Sequence, residues 1–170
     1  MSASAVMPGA YTPVPQANEP LQYLTFLAAH EMYAVNTLSV REIIEYNQVT
    51  TVPMMPAFLR GVINLRGSVV PVVDLKARFG KGATVLGIRT CIVILEAVGE
   101  GESQVLGIVV DSVSEVIEIL DSDIKPAPAF GNHIRTDFIK GMIKVRGDFV
   151  TLLQVEHVLC VDEMASLMRA

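Results

Sequence analysis

The chain has 170 residues, 51% of them hydrophobic and only 18% charged, with no Trp and a net charge of −5. That composition belongs to a core-rich globular fold and excludes a disordered chain. The acidic balance, without any basic stripe of interleaved aromatics, excludes a nucleic-acid binder and disfavours an anionic membrane surface.

Met1–Pro20 is rich in Ala, Pro and Ser and has no apolar period, so it reads as a mobile tail. It lacks the basic region and apolar run of a secretory signal. No segment of the chain reaches the roughly 18 consecutive apolar residues of a membrane span. A cytoplasmic protein without membrane insertion is expected. Leu21–Ala28, LQYLTFLA, reads as a strand. A turn at His30-Glu31 leads to Met32–Val35, and Leu38–Tyr46 follows with Val40, Ile43 and Ile44. Pro53 and Pro56 mark a loop.

The most informative stretch comes next, Phe58–Leu75, FLRGVINLRGSVVPVVDL. Its runs Val62–Leu65 and Val69–Val73 are Val/Ile-rich, as a buried pleated surface prefers. They flank Arg66-Gly67-Ser68, where Gly67 takes positive φ without a Cβ penalty. The stretch predicts a β-hairpin with an Arg at its tip and Asn64 beside the turn. Gly61 marks a bulge or a close backbone approach.

Lys76–Gly87 reads as a connector. Cys91–Val98 predicts a strand, Gly99–Ser103 a polar turn, and Gln104–Asp111 the partner strand. Ser112–Leu120 reads as a strand, with one or two helical turns as the alternative. Asp121–Gly131 is a loop. After a second hairpin, Val155–Met168 has the apolar spacing of an amphipathic C-terminal helix.

That second hairpin, Phe138–Val155, FIKGMIKVRGDFVTLLQV, repeats the first. Without gaps, Phe138 meets Phe58, Gly141 meets Gly61, and Arg146-Gly147 meets Arg66-Gly67. Upstream, Ala34–Glu45 resembles Gly107–Glu118. One fixed offset shared by Phe, Gly and Arg-Gly favours duplication over the general likeness of Val-rich hairpins. Many short strands between Gly and Pro turns then predict a mostly β fold, a pair of small β-barrels.

Residues for chemistry are sparse. His30, His133 and His157 have no neighbours at metal-ligand spacing, and Cys91 and Cys160 form neither a disulfide framework nor a metal motif. The carboxylate pairs Asp121/Asp123 and Glu115/Glu118 fit a solvated turn and a polar strand face better than acid–base work. Asp74 and Asp111 read as turn or cap residues, and Ser68 lacks a nucleophile elbow. No phosphate-binding Gly motif is present. The expectation is a non-enzyme without cofactor or metal, working through surface contacts. Val40, Glu42 and Ile43, just upstream of the first hairpin, are candidates for a shared face with it. Taken singly, Val40 and Ile43 fit plain core equally well.

VREI at Val40–Ile43, the Phe58–Leu75 stretch, GIVVDSVSEV at Gly107–Val116, IKPAPAF at Ile124–Phe130 and EHVLCVDEMASL at Glu156–Leu167 resemble the CheW-type chemotaxis coupling proteins. The resemblance runs from about Leu21 to the C-terminus. It implies two SH3-like five-stranded β-barrel subdomains packed together, roughly 30–86 and 87–155, with the strand 21–28 a candidate addition to the second and a short helix over 155–168. It also implies a non-catalytic adaptor between membrane chemoreceptors and a CheA-type histidine kinase, recruited from the cytoplasm to receptor arrays. The receptor's cytoplasmic tip would dock in a groove between the barrels, and the kinase's regulatory domain against one barrel. Self-association with CheW-like relatives in arrays is a further implied contact. Carried over by position, the partner-binding residues are Val40, Glu42, Ile43, Gly61, Asn64, Arg66 and Val113. The family's second hairpin does not generally carry Arg-Gly, so Arg146-Gly147 is a departure. On the residues alone, a ligand-binding β-barrel and a self-assembling structural module remain alternatives.

Overall fold

The computed structural model describes residues 19–98, 103–126 and 139–155. Ten strands dominate them: β1 (Leu21–Ala28), β2 (Glu31–Asn36), β3 (Val40–Glu45), β4 (Leu59–Leu65), β5 (Ser68–Asp74), β6 (Cys91–Val98), β7 (Ser103–Val110), β8 (Ser112–Ile119), β9 (Ile139–Val145) and β10 (Asp148–Leu153). A four-residue helix, α1 (Leu75–Arg78), opens the connector after β5. Nearly all of the expected tail, and the expected C-terminal helix beyond Val155, lie outside the described residues.

The strands form two five-stranded sheets, ordered β8-β1-β2-β10-β9 and β3-β6-β7-β5-β4. The two orders are equivalent. Each runs from an edge strand to an antiparallel hairpin, then across a parallel pair to a closing hairpin. The β1–β2 hairpin therefore corresponds to β6–β7, but the two have changed places: each completes the sheet of the other repeat. This corrects the expected subdomain limits of 30–86 and 87–155. The second sheet is a continuous stretch, β3 to β7, inserted between β2 and β8 of the first. Sequence order favours pairing between neighbours, and a strand's pattern does not name its partner.

Burial explains the apolar runs. Along β6, Val93 and Leu95 enter a core shared by both sheets, while Ile92 and Ile94 enter one private to the second. Leu24 and Phe26 on β1 likewise join the shared core, and Tyr23 the first sheet's own. Strands covered on both faces read as continuous apolar runs. The edge strands β3 and β8 instead alternate between partly buried and exposed positions. That period of two is why Ser112–Ile119 is a strand and not helical turns. Tyr33 is fully buried in the shared core against the rings of Phe26 and Phe79, at 6.2 and 5.3 Å. Burial, with a smaller contribution from Glu31, pushes its hydroxyl well above the usual phenol range.

A polar node closes the end of β5. Asp74, fully buried, caps α1 by accepting from the Ala77 N–H at 3.3 Å. It also accepts from the Thr84 N–H and hydroxyl at 2.8 and 2.7 Å, and pairs with the Arg60 Nε at 3.2 Å. Arg60 in turn donates to the Thr84 carbonyl. The connector is thereby tied to the body of the second sheet at Thr84.

Candidate functional site

The first hairpin turns at Arg66 and Gly67 with φ of 52° and 90°. Positive φ at both central residues matches the right-handed strand twist. Gly67 was expected there, but Arg66 also adopts this conformation, which side-chain-bearing residues rarely do. Two contacts hold it. The Asn64 Oδ1 accepts from the Gly67 N–H at 2.8 Å. The Arg66 guanidinium donates to both oxygens of Glu42, at 2.6 and 2.9 Å. Hydrogen bonding to Arg66 holds the Glu42 carboxyl below the usual carboxylate range. A lowered carboxyl pKa means the pair is intact at neutral pH and is lost as pH falls through that lowered value.

This ion pair fastens the hairpin tip to β3, the opposite edge of the same sheet. Ile43 on β3 is 43% exposed and Val69 on β5 67% exposed. Glu42, Ile43, Asn64 and Arg66 thus gather at the seam between the sheet's two edges. Gly61 lies deeper in that seam. The Thr50 and Val62 backbones exchange hydrogen bonds of 2.8 Å beside it, and the ladder shifts register between Leu59 and Gly61. Both sequence expectations for Gly61, bulge and close approach, describe it.

Val40 and Val113 lie elsewhere. Both are partly buried against the shared core, each just after a crossing of the chain from one sheet to the other. Val113 also lines a groove of about 490 Å³ that reaches from β1, β2 and β8 of the first sheet to Cys91 of the second. The seven candidates therefore divide between a seam and an inter-sheet region.

The second repeat rebuilds the first seam in detail. Arg146 and Gly147 have φ of 50° and 89°, and Arg146 pairs with Glu115 at 2.7 Å. Hydrogen bonding to Arg146 holds the Glu115 carboxyl low as well. Val116 and Phe149, matching Ile43 and Val69, are 53% and 64% exposed beside a cleft of about 940 Å³. The sequence repeat pairs Glu42 with Glu115 and Arg66 with Arg146, so these contacts could have been sought from it. Nothing local marked the Asp74 node or the inter-sheet groove. Among the described residues no cluster of His, Cys, Asp and Glu could hold a metal ion.

A family model described as the CheW-like domain matches residues 22–163. The chemotaxis protein CheW of Klebsiella aerogenes is 34% identical over 144 residues, covering 85% of this chain and 84% of its own. The CheW of Rhizobium meliloti is 32% identical over 142 residues, covering 84% and 89%. Among solved structures, the scaffolding protein TtCheW of Thermoanaerobacter tengcongensis matches with a TM-score of 0.74 at 34% identity, over 82% of this chain and 88% of its own.

Proposed function

This chain belongs to the CheW-like family, and from that premise we propose that it joins chemoreceptors to a CheA-type histidine kinase. It is a scaffold in chemotaxis signalling with two SH3-like β-barrel subdomains, and it is not an enzyme. The observation that supports the finer reading is the division of the candidate residues between two surfaces on one shared core. The groove beside Val113 takes the receptor's cytoplasmic tip. The seam of Glu42, Ile43, Asn64 and Arg66 takes the kinase's regulatory domain. A rigid body with two separate contact surfaces is what an adaptor requires. The protein works in the cytoplasm at receptor arrays; among the described residues no helix is long and apolar enough to cross a membrane.

The matching hairpin tips supply an internal control. Both arginines are exposed and paired with an edge-strand Glu, so truncating either changes folding stability little. Their effects on binding differ, because the family likeness places partner contacts on the first hairpin. Arg66→Ala is expected to weaken kinase-fragment binding about thirtyfold, the loss typical of an anchoring Arg. Arg146→Ala is expected to bind as the parent does. Titration calorimetry on both variants checks this. Equal losses from the two, or none from Arg66→Ala, overturn the assignment.

A further inference from the structure

The described arginines are almost all committed within the fold. Arg41, Arg60, Arg66 and Arg146 pair with Glu96, Asp74, Glu42 and Glu115, and Arg78 lies over the Phe58 ring at 4.9 Å. Arg89 is the exception: it is exposed, and among the described residues its guanidinium has no carboxylate or ring against it. Among the described residues it is also the one charged side chain in the wall of the inter-sheet groove, whose other lining residues include Leu27, Met32, Cys91 and Val113.

Arg89 does not sit on a loose strand of chain. Gly87 to Thr90 form a turn, with the Thr90 N–H donating to the Gly87 carbonyl at 3.2 Å and the Gly87 N–H donating to the Thr90 hydroxyl at 2.7 Å. Thr90 is buried, and its carbonyl accepts from the Tyr46 N–H at 3.3 Å. The connector's other end is fixed at Thr84 by the Asp74 node. The turn tip is thus Ile88-Arg89, with Ile88 99% exposed. A pinned turn that holds an apolar side chain in water beside an uncommitted cation has the ingredients of an interface anchor.

We propose that the Gly87–Thr90 turn is a specificity-determining rim of the groove, where Arg89 receives a carboxylate and Ile88 an apolar side chain of one acidic, amphipathic helix at the receptor tip. This rests on reading the groove as the receptor site. Charge complementarity decides the occupant: among the described residues the groove's apolar wall carries a single charge, and it is positive, so a helix with an apolar stripe and a flanking Asp or Glu fits it. Spacing of three or four residues places those two side chains on one helical face. A basic helix is rejected by the same charge, which gives the rim a part in choosing among receptors.

The test titrates the full chain with a soluble receptor-tip fragment from the same organism, and separately with a kinase regulatory-domain fragment. Arg89→Glu is expected to weaken receptor-fragment binding about thirtyfold or more, and Arg89→Ala about fivefold, since reversal adds repulsion to lost attraction. Kinase-fragment binding stays at the parent level. The Arg89→Ala complex is also less sensitive to added salt than the parent complex. Val113→Glu, which places a charge in the groove wall, serves as the control for the groove itself. If Val113→Glu abolishes receptor binding while Arg89→Glu binds normally, the rim proposal fails and the groove reading survives. If both bind normally, the groove reading fails and the rim proposal with it. Loss of receptor and kinase binding together by Arg89→Glu also overturns a receptor-specific rim.

Discussion

Gly61→Asp is expected to lower the melting temperature by about 12 °C and to abolish partner binding at the seam. A Cβ on Gly61 would lie 2.0 Å from the Thr50 carbonyl oxygen and 2.7 Å from its carbon. These are backbone atoms, so no side-chain rotation relieves the clash. The backbone there has φ of 147°, which residues other than glycine rarely adopt. The Thr50 segment must therefore withdraw, breaking its two hydrogen bonds to Val62 and uncovering the second sheet's private core. Strain, overpacking and lost hydrogen bonds together cost about 4 kcal/mol. In a domain of this size each kcal/mol moves the transition by about 3 °C. Gly141→Asp is the matched comparison. Its Cβ would meet the Ile124 Cγ2 at 2.4 Å and the Lys125 carbonyl oxygen at 2.8 Å, but its φ is ordinary. About half the loss is expected there. Calorimetry on both variants decides; a Gly61→Asp protein that melts with the parent would mean Thr50 does not sit where described.

Asp74→Ala should be nearly as damaging, by a different route. Removing this carboxylate leaves the Arg60 guanidinium without a counter-charge, the Thr84 N–H without an acceptor and α1 without its cap. Breaking a buried ion pair from one side costs about 3–5 kcal/mol, and the low end applies because the Arg60 side chain is 23% exposed. Urea denaturation should show a lower midpoint with an unchanged slope, the sign of altered stability without altered compactness. Asp74→Ala combined with Arg60→Met should recover part of the loss, since no charge is then stranded. A single variant within 1 kcal/mol of the parent would show that the node is not what fixes the connector.

Much of this architecture was readable residue by residue. Leu21–Ala28 and Cys91–Val98 match β1 and β6 to the residue, because strands buried on both faces leave mostly apolar runs, broken here only by Gln22, Thr25 and Glu96, between polar turns. The hairpin at Arg66-Gly67 and its copy at Arg146-Gly147 were legible from turn chemistry. The exchange of hairpins was not, since pairing between β3 and β6 depends on which edge is free and not on either strand's composition. The candidate residues were named as one set, and their division between two surfaces was hidden. Glu42 and Arg66 are close only because the hairpin folds its tip across to β3, and Arg89 stands out only once every other described arginine has been accounted for. Asp74 was read as a cap residue, which it is. Its hold on Thr84 and Arg60 joins residues from three elements, and local sequence carries no trace of that.

The nesting of one sheet inside the other also orders events during synthesis. All five strands of the inner sheet have left the ribosome once Val110 emerges, so it can close while the rest of the chain is still being made. The outer sheet cannot, because β1 and β2 are made first and wait for β8, β9 and β10, which come last. Until then the hairpin of Leu21–Asn36 has unpaired edges, and apolar side chains such as Tyr23, Phe26 and Tyr33 are only partly covered. Exposed edges and uncovered apolar faces are what make nascent species aggregate. A chain cut short before β9 therefore carries a closed inner sheet on a sticky, half-built outer one. Its harm to the cell comes from clumping at the unfinished end, a hazard that falls to chaperones for as long as translation lasts.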